Sequence, residues 1–321
     1  MEKDFHQAQD LIDQSQNILL TMHERMDGDD GGSVLAMYHH LAKTDKQVSC
    51  AIKKGVPPSL AFLPGSENIA DDIGRDDFDL LITFGCATLS RTGSENIEKL
   101  KKHSSKLKII NIDHHPDNTF FGTVNIVDAK KSSVAELLYD MFVFHKWPIT
   151  RDIAACLLTG IITDTGSFMH SNTGQSTLKA AAHLLRKGAR TTPIIRQTFQ
   201  GKNPKTLKAW GKALENSHYD SKHKILYAII TEQDLQEFGS LPQSAFEGFA
   251  ETLNTFPDAK FAMFLRQDGN MIKGSLRSDP FKNTDVSRLA KLFGGGGHKQ
   301  AAGFTIAGKL SKDPSGNWQI I

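Results

Sequence analysis

Ile18-Leu-Leu-Thr-Met22-His23-Glu-Arg-Met-Asp27-Gly-Asp29-Asp30-Gly-Gly-Ser33 is an apolar run that spills into one imidazole and three aspartates, then into glycine and serine. Residues 18–22 read as a strand, and Gly31-Gly32-Ser33 open what reads as a helix over 33–42. A strand that ends in acids and feeds a glycine-rich helix start is a place to hold cations and phosphate together.

The alternation continues outward from this stretch. A helix is expected over 4–16, with Phe5, Ala8, Leu11 and Ile12 spaced by three and four. Strands are expected over 47–52, 78–84 and 107–112, and helices over 94–103, 132–145 and 151–163. The segment 55–77 carries Pro57, Pro58, Pro64, Gly65 and Gly74 and reads as turns. Strands alternating with helices imply an α/β fold with a doubly wound, mostly parallel sheet, whose ligands bind beyond the carboxyl ends of its strands. Helices over 174–187, 192–200 and 204–216 lead to a smaller α/β unit. There, 224–230, 260–266 and 271–276 read as strands, with a hairpin turn at Asp268-Gly269 and helices over 243–254 and 285–293.

A chain of 321 residues favours two domains, and 39% apolar with 23% charged residues is ordinary for a globular protein. No apolar run approaches the roughly eighteen residues of a spanning helix, so no membrane partner is expected. The start of the chain has no apolar secretory segment, and Cys50, Cys86 and Cys156 are odd in number and far apart. A cytoplasmic protein with reduced thiols is expected. Net charge is +2, yet Lys179, Arg186, Lys187, Arg190, Arg196, Lys202, Lys205, Lys208 and Lys212 fall in a stretch that holds no acid. Such a stretch suits an anionic substrate, or is simply a solvated helical face.

Three separate sites place acids or histidines at the ends of expected elements: His23, Asp27 and Asp29; Asp113, His114 and His115; and Asp164 in Gly160-Ile-Ile-Thr-Asp-Thr-Gly166. Carboxylate and imidazole donors without thiolate suit Mn²⁺, Fe²⁺ or Co²⁺. Paired ions of this kind clamp a phosphoryl displacement. In the second unit, Gly294-Gly-Gly-Gly-His298 has the freedom to form a phosphate-holding nest, and Arg277, in Gly274-Ser-Leu-Arg-Ser278, could fork onto a phosphate.

These motifs together resemble the DHH phosphoesterase family: His23-x3-Asp27-Gly-Asp29-x2-Gly-Ser33, Asp113-His114-His115, residues 160–166 and residues 294–304. The likeness covers nearly the whole chain and is strongest to the small oligoribonucleases that also dephosphorylate adenosine 3′,5′-bisphosphate. The resemblance implies a metal-binding catalytic domain over 1–190, a basic helical linker over 191–216 and a DHH-associated, substrate-binding domain over 217–321. It implies two divalent ions, manganese foremost, with His23 and Asp27 on the first and Asp29, His114 and Asp164 on the second. Asp113 would orient ligands, and His115 would polarise the substrate phosphate. Arg91, Ser275, Arg277, Gly295, Gly296, Gly297 and His298 would bind substrate, held in a cleft between the domains. The substrates implied are short RNA or mono- and dinucleotides, and a homodimer is a family-level expectation.

One position departs from the pattern. The resemblance expects a metal-bridging aspartate after the 78–84 strand, where this chain has Gly85. Asp79 lies six residues back, at about 3.3 Å each, near the opposite end of the strand. Asp30 is an extra acid in the first motif, expected to help at most through a water. Gly85 leaves three explanations: a substitution that holds substrate uncleaved, a slow enzyme with one loose ion, or a nucleotide or cyclic-dinucleotide binding protein that has lost turnover. A cyclic-dinucleotide phosphodiesterase is a further alternative. On this reading Gly85 reduces turnover relative to a Gly85→Asp form.

Overall fold

In the computed structural model the apolar runs of the N-terminal half become parallel strands. The structure describes residues 1–103, 107–198, 203–239, 241–314, 316 and 318–321. The chain divides into two units, Met1–Gln200 and Gly201–Ile321.

In the first unit the order is α1 (Glu2–Gln14), β1 (Asn17–Met22), α2 (Gly28–Leu41), β2 (Gln47–Ala51), β3 (Ile69–Ala70), β4 (Leu80–Phe84), α3 (Glu95–His103), β5 (Lys108–Asp113) and β6 (Val124–Val127). Helices α4 (Val134–Phe144), α5 (Arg151–Asp164), α6 (Gln175–Arg186) and α7 (Thr191–Thr198) follow. The sheet runs β3-β2-β1-β4-β5-β6 with every pairing parallel. Both faces are covered, as a parallel sheet requires. Ile18, Leu20, Ile82 and Ile110 pack with α2, α4 and α5, whereas Leu19, Leu81 and Ile109 pack on the other side with Ile97 and Leu100 of α3. Full burial of each such side chain contributes roughly 1.5–3 kcal/mol.

The helix after β1 starts five residues earlier than the glycine pair suggests, at Gly28 instead of residue 33. The Asp27 side chain caps it by accepting the Asp30 N–H at 2.9 Å, so Asp29 and Asp30 sit in its first turn. The glycines serve packing instead: a Cβ on Gly32 would run into the Cys156 carbonyl, so a bare surface there lets α2 lie close against α5. Strands β3 and β6 are too short and irregular in pattern to stand out in the sequence.

The second unit contains α8 (Pro204–Glu215), β7 (His218–Asp220), β8 (Ile225–Ile230), α9 (Glu232–Gln236), α10 (Phe249–Asn254), β9 (Phe261–Asp268), β10 (Met271–Arg277), α11 (Val286–Leu292), β11 (Gly296–Gly297), β12 (Ala301–Ala307), β13 (Leu310–Lys312) and β14 (Trp318–Ile320). Its main sheet runs β11-β12-β10-β9-β8-β7; β8 and β9 are parallel and the other pairings antiparallel. Phe246, Phe249 and Phe264 build one core, and Ile272, Leu276, Val286 and Phe304 build another. The expected helix over 243–254 is a short 3₁₀ turn, Gln243–Phe246, followed by α10.

The division falls within the basic stretch. Ile194 of α7 is in the first unit's core, and Ala209 and Ala213 of α8 are in the second's. Lys202 and the end of the helix expected over 192–200 lie outside the described residues. Among the described residues no helix is long and apolar enough to cross a membrane, and Cys50, Cys86 and Cys156 are buried and unpaired.

Candidate metal centre

Strands β1, β4 and β5 lie side by side in one direction, so their carboxyl ends open on one edge. His23 follows β1, Gly85 follows β4, and His114 and His115 follow β5, which itself ends in Asp113. The sheet order reverses beside β1, the point at which an open α/β sheet leaves a crevice for ligands. Helix α2 begins at this edge and α5 brings Asp164 to it.

Two donor sets form there, each with ligand atoms within 4.8 Å of one another. The expected second set is one of them: Asp29, His114 and Asp164. Asp29 is buried, and its two oxygens accept the N–H groups of Val134 at 2.7 Å and Ala135 at 2.9 Å, at the positive end of α4. His114 places Nδ1 3.3 Å from the Lys131 carbonyl, which assigns the ring proton to Nδ1. Its Nε2 stands 4.0 Å from Asp29 and 3.7 Å from Asp164. Those separations are too long for hydrogen bonds but near the ~3.0–3.6 Å that separates neighbouring ligands about 2.1 Å from a shared ion.

The other set is His23, Asp27 and Asp30. His23 Nε2 lies 3.1 Å from Asp27 Oδ2 and 3.0 Å from Asp30 Oδ2. Asp30 is the correction here: expected to help at most through a water, it is buried with its carboxylate among the atoms of this set. Its carboxyl group fills the side-chain space of Gly85, whose φ is +59°; a Cβ at 85 would collide with all three carboxyl atoms. A side chain at 85 and the Asp30 carboxyl group therefore compete for one space, and an aspartate at 85 requires the Asp30 side chain to move. Asp79 is where strand length puts it, at the far end, accepting the N–H groups of Gln16 at 2.8 Å and Asn17 at 3.1 Å.

The charges call for a cation. Burial, then the charges of Asp164, Asp30 and Asp27, raises Asp29 well above the usual carboxylate range. Burial and Asp27 raise Asp30 against the pull of His23. Burial, with Asp27 and Asp30 against His114, pushes Asp164 up to about 6. Burial alone would lower His23, yet hydrogen bonds and charge from Asp27 and Asp30 push it up to about 10. Burial would raise Asp27 as well, but the hydrogen bond and charge of His23 hold it below the usual range. Three carboxyl groups that resist ionising thus stand beside one that does not, a set satisfied by positive charge.

Asp113 is fully buried. Burial would raise it, but His115 Nδ1 at 2.6 Å, Asn118 Nδ2 at 2.6 Å and the N–H groups of His114 and His115 hold it below the usual range. His115 is raised in turn: Asp113 and the charge of Asp30 outweigh burial and Arg91. Arg91 is exposed, in a 3₁₀ turn after β4, and its charge reaches His115.

The remaining expected substrate residues lie in the second unit. Ser275 and Arg277 are on β10, and Arg277 Nε donates to Glu251 at 2.6 Å. Gly296 and Gly297 pair with Gly303 and Ala302 as an edge strand, a more ordered arrangement than a loose nest. Gly295 precedes them, and His298 makes a tight turn with Ala301, N–H to carbonyl at 2.8 Å. Sequence reasoning missed Asp30 as a donor and Asn118, Lys131, Val134 and Ala135 as positioning groups. An acid at 30 together with a glycine at 85 was the signal for the first. Lys131, Val134 and Ala135 act through backbone groups that leave no side-chain signature, and Asn118 reaches Asp113 with an amide that stands out from no other loop asparagine.

The N-terminal domain model of the DHH family matches residues 17–161, and the DHHA1 domain model matches 224–313. The bifunctional oligoribonuclease and PAP phosphatase NrnA of Bacillus subtilis is 27% identical over 292 residues, covering 90% of this chain and 89% of that protein. The protein of the same name from Thermus thermophilus is 29% identical over 292 residues, covering 91% of this chain and 84% of its own. An exopolyphosphatase-related protein of Bacteroides fragilis superposes with a TM-score of 0.86 at 26% identity, covering 95% of this chain and 91% of its own. With one domain model in each unit and likeness along nearly the full length, the chain belongs to the DHH phosphoesterase family and carries a DHHA1 domain.

Proposed function

We propose that this chain is a metal-dependent phosphoesterase that hydrolyses short oligoribonucleotides to 5′-mononucleotides and adenosine 3′,5′-bisphosphate to AMP. The observation that carries this reading is the meeting of two oxygen–nitrogen donor sets at the carboxyl ends of β1, β4 and β5. The donors suit manganese: they are imidazole and carboxylate, and the nearby Cys86 thiol is buried and pushed away from ionisation by burial and by Asp30 and Asp113. When bound there, two divalent ions would lower the pKa of a water and offset charge on the phosphoryl oxygens.

The chain's own residues do the rest. His23 and Asp27 would hold the first ion, and Asp29, His114 and Asp164 the second. Val134, Ala135 and Lys131 fix the angles of Asp29 and His114 through their backbone groups. Asp113 keeps His115 charged and aimed, so His115 polarises the phosphate. Arg91, Ser275, Arg277, Gly295, Gly296, Gly297 and His298 grip the nucleotide. The printed activities of the two NrnA relatives support this choice of substrates. The alternative of a sensor without turnover rests on Gly85, and the Asp30 carboxylate beside it weighs against that reading.

The test is a manganese-supplemented panel of two- to five-nucleotide RNAs, adenosine 3′,5′-bisphosphate, linear and cyclic di-adenylate, and pyrophosphate. Release of mononucleotides from the short RNAs and AMP from the bisphosphate is expected. Cleavage confined to pyrophosphate or to the cyclic dinucleotide, or tight binding without turnover, would reject the proposal.

A further inference from the structure

We infer that Asp30 is itself a metal ligand, and that Gly85 is glycine so that the Asp30 carboxylate can occupy the space at the end of β4. This rests on the metal-dependent reading above and names a ligand which that reading does not require. Asp30 lies in the first turn of α2, its backbone N–H committed to Asp27 and its carboxylate buried. Its Oδ2 meets the same His23 nitrogen as Asp27 Oδ2, at 3.0 and 3.1 Å, so three donor atoms already surround one point. The hydrogen-bond capacity of a buried carboxylate is about four lone-pair sites. Asp29 spends its two oxygens on backbone N–H groups and Asp113 spends its own on amide, backbone and imidazole hydrogens, whereas the Asp30 carboxylate meets a ring nitrogen that belongs to the donor set itself.

Gly85 is the second, independent observation. Its N–H pairs with the Ile112 carbonyl at 3.0 Å, so β4 and β5 remain in register up to the point where the side chain is missing. Its φ of +59° is a left-handed conformation that side chains rarely adopt, and the vacated volume is filled by the Asp30 carboxyl group. A carboxylate stands beside the end of β4, delivered by the neighbouring helix instead of the strand. Two elements can reach one position in space, and only one can occupy it.

The experiment measures manganese bound per chain on the intact protein, by Mn²⁺ electron paramagnetic resonance and calorimetry, alongside activity and circular dichroism. Four forms are compared: wild type, Asp30→Asn, Gly85→Asp, and Asp30→Ala combined with Gly85→Asp. Asp30→Asn preserves shape while removing charge, so a loss of metal is separable from a loss of fold. Wild type is expected to bind two ions. Asp30→Asn should weaken one of them by at least about tenfold, the scale at which even positioning groups act. Gly85→Asp alone should bind worse than wild type, and the double variant should recover the first ion. Two ions of unchanged affinity in Asp30→Asn, with a double variant no better than Gly85→Asp, would overturn the Asp30 assignment while leaving the metal-dependent reading intact. A wild type that binds no manganese would overturn both.

Discussion

Asp113 shows how much rests on one side chain at this edge. It has no exposure to solvent, and it joins His115 to Asn118 through two 2.6 Å contacts. Changing it to asparagine keeps the shape but removes the charge that orients and sustains the His115 proton. For Asp113→Asn, kcat on short RNA should fall by about 10²-fold while manganese binding stays near wild type, because Asp113 is not among the grouped metal donors. Steady-state kinetics with a parallel metal titration checks this; loss of manganese with no separate effect on kcat would place Asp113 among the ligands. At this scale the sequence was highly legible. His23, Asp27, Asp29, His114 and Asp164 stand out as chemistry-bearing types at element ends, and the structure gathers all of them. Asp30 was not legible, because its meaning depends on residue 85, which is distant along the chain and adjacent only once β1 and β4 pair.

Among the elements, α4 and α5 act as jigs for the donors. The start of α4 is fixed by Glu136, whose carboxylate accepts the Ser132 N–H and the hydroxyls of Ser132 and Thr177, and meets Lys131 at 3.2 Å. Burial would raise Glu136, but those hydrogen bonds outweigh it and hold the group below its usual range. A carboxyl whose folded pKa is depressed contributes stability that is full above its unfolded pKa of about 4.5 and is lost as pH falls through the folded value. Glu136→Gln should therefore cost about 2 kcal/mol at neutral pH and flatten the acid limb of a Tm-against-pH curve; an unchanged limb would show that the group is not coupled to folding. On α5, Gly160 must stay bare: a Cβ there would lie 2.8 Å from Asp29 Oδ1 and 2.5 Å from the Ala135 methyl. Gly160→Ala should dislodge Asp29 and weaken manganese binding with little loss of helix content, readable by calorimetry and circular dichroism. The helices themselves were visible as apolar periodicity. The true start of α2 was not, because an aspartate cap and a glycine-rich first turn look like a loop in one dimension.

For the whole molecule, the cores of the two units are separate clusters, and both metal-donor sets described here lie in the first. An ion that binds only the folded state stabilises it by about 2.7 kcal/mol at a hundred times its Kd. Stripping metal with chelator and restoring manganese to that level should raise the Tm of the first unit's transition by roughly 5–10 °C. Hydrogen exchange should slow at the start of α2, the end of β5 and the end of α5. Slowing confined to the second unit would put the ions elsewhere. The parallel order was implied by alternating strands and helices, whereas β3 and the β6 edge were hidden by brevity: two and four residues carry too little pattern to count.

The filled space beside Gly85 changes what it means for a chain of this family to look defective. A census that inspects one column of residues at a time would score glycine at 85 as a broken enzyme and aspartate at 30 as noise. In three dimensions these are one slot with two alternative tenants. Acids at the two positions should exclude each other across relatives: chains with one should lack the other, and chains with neither should have lost the first ion.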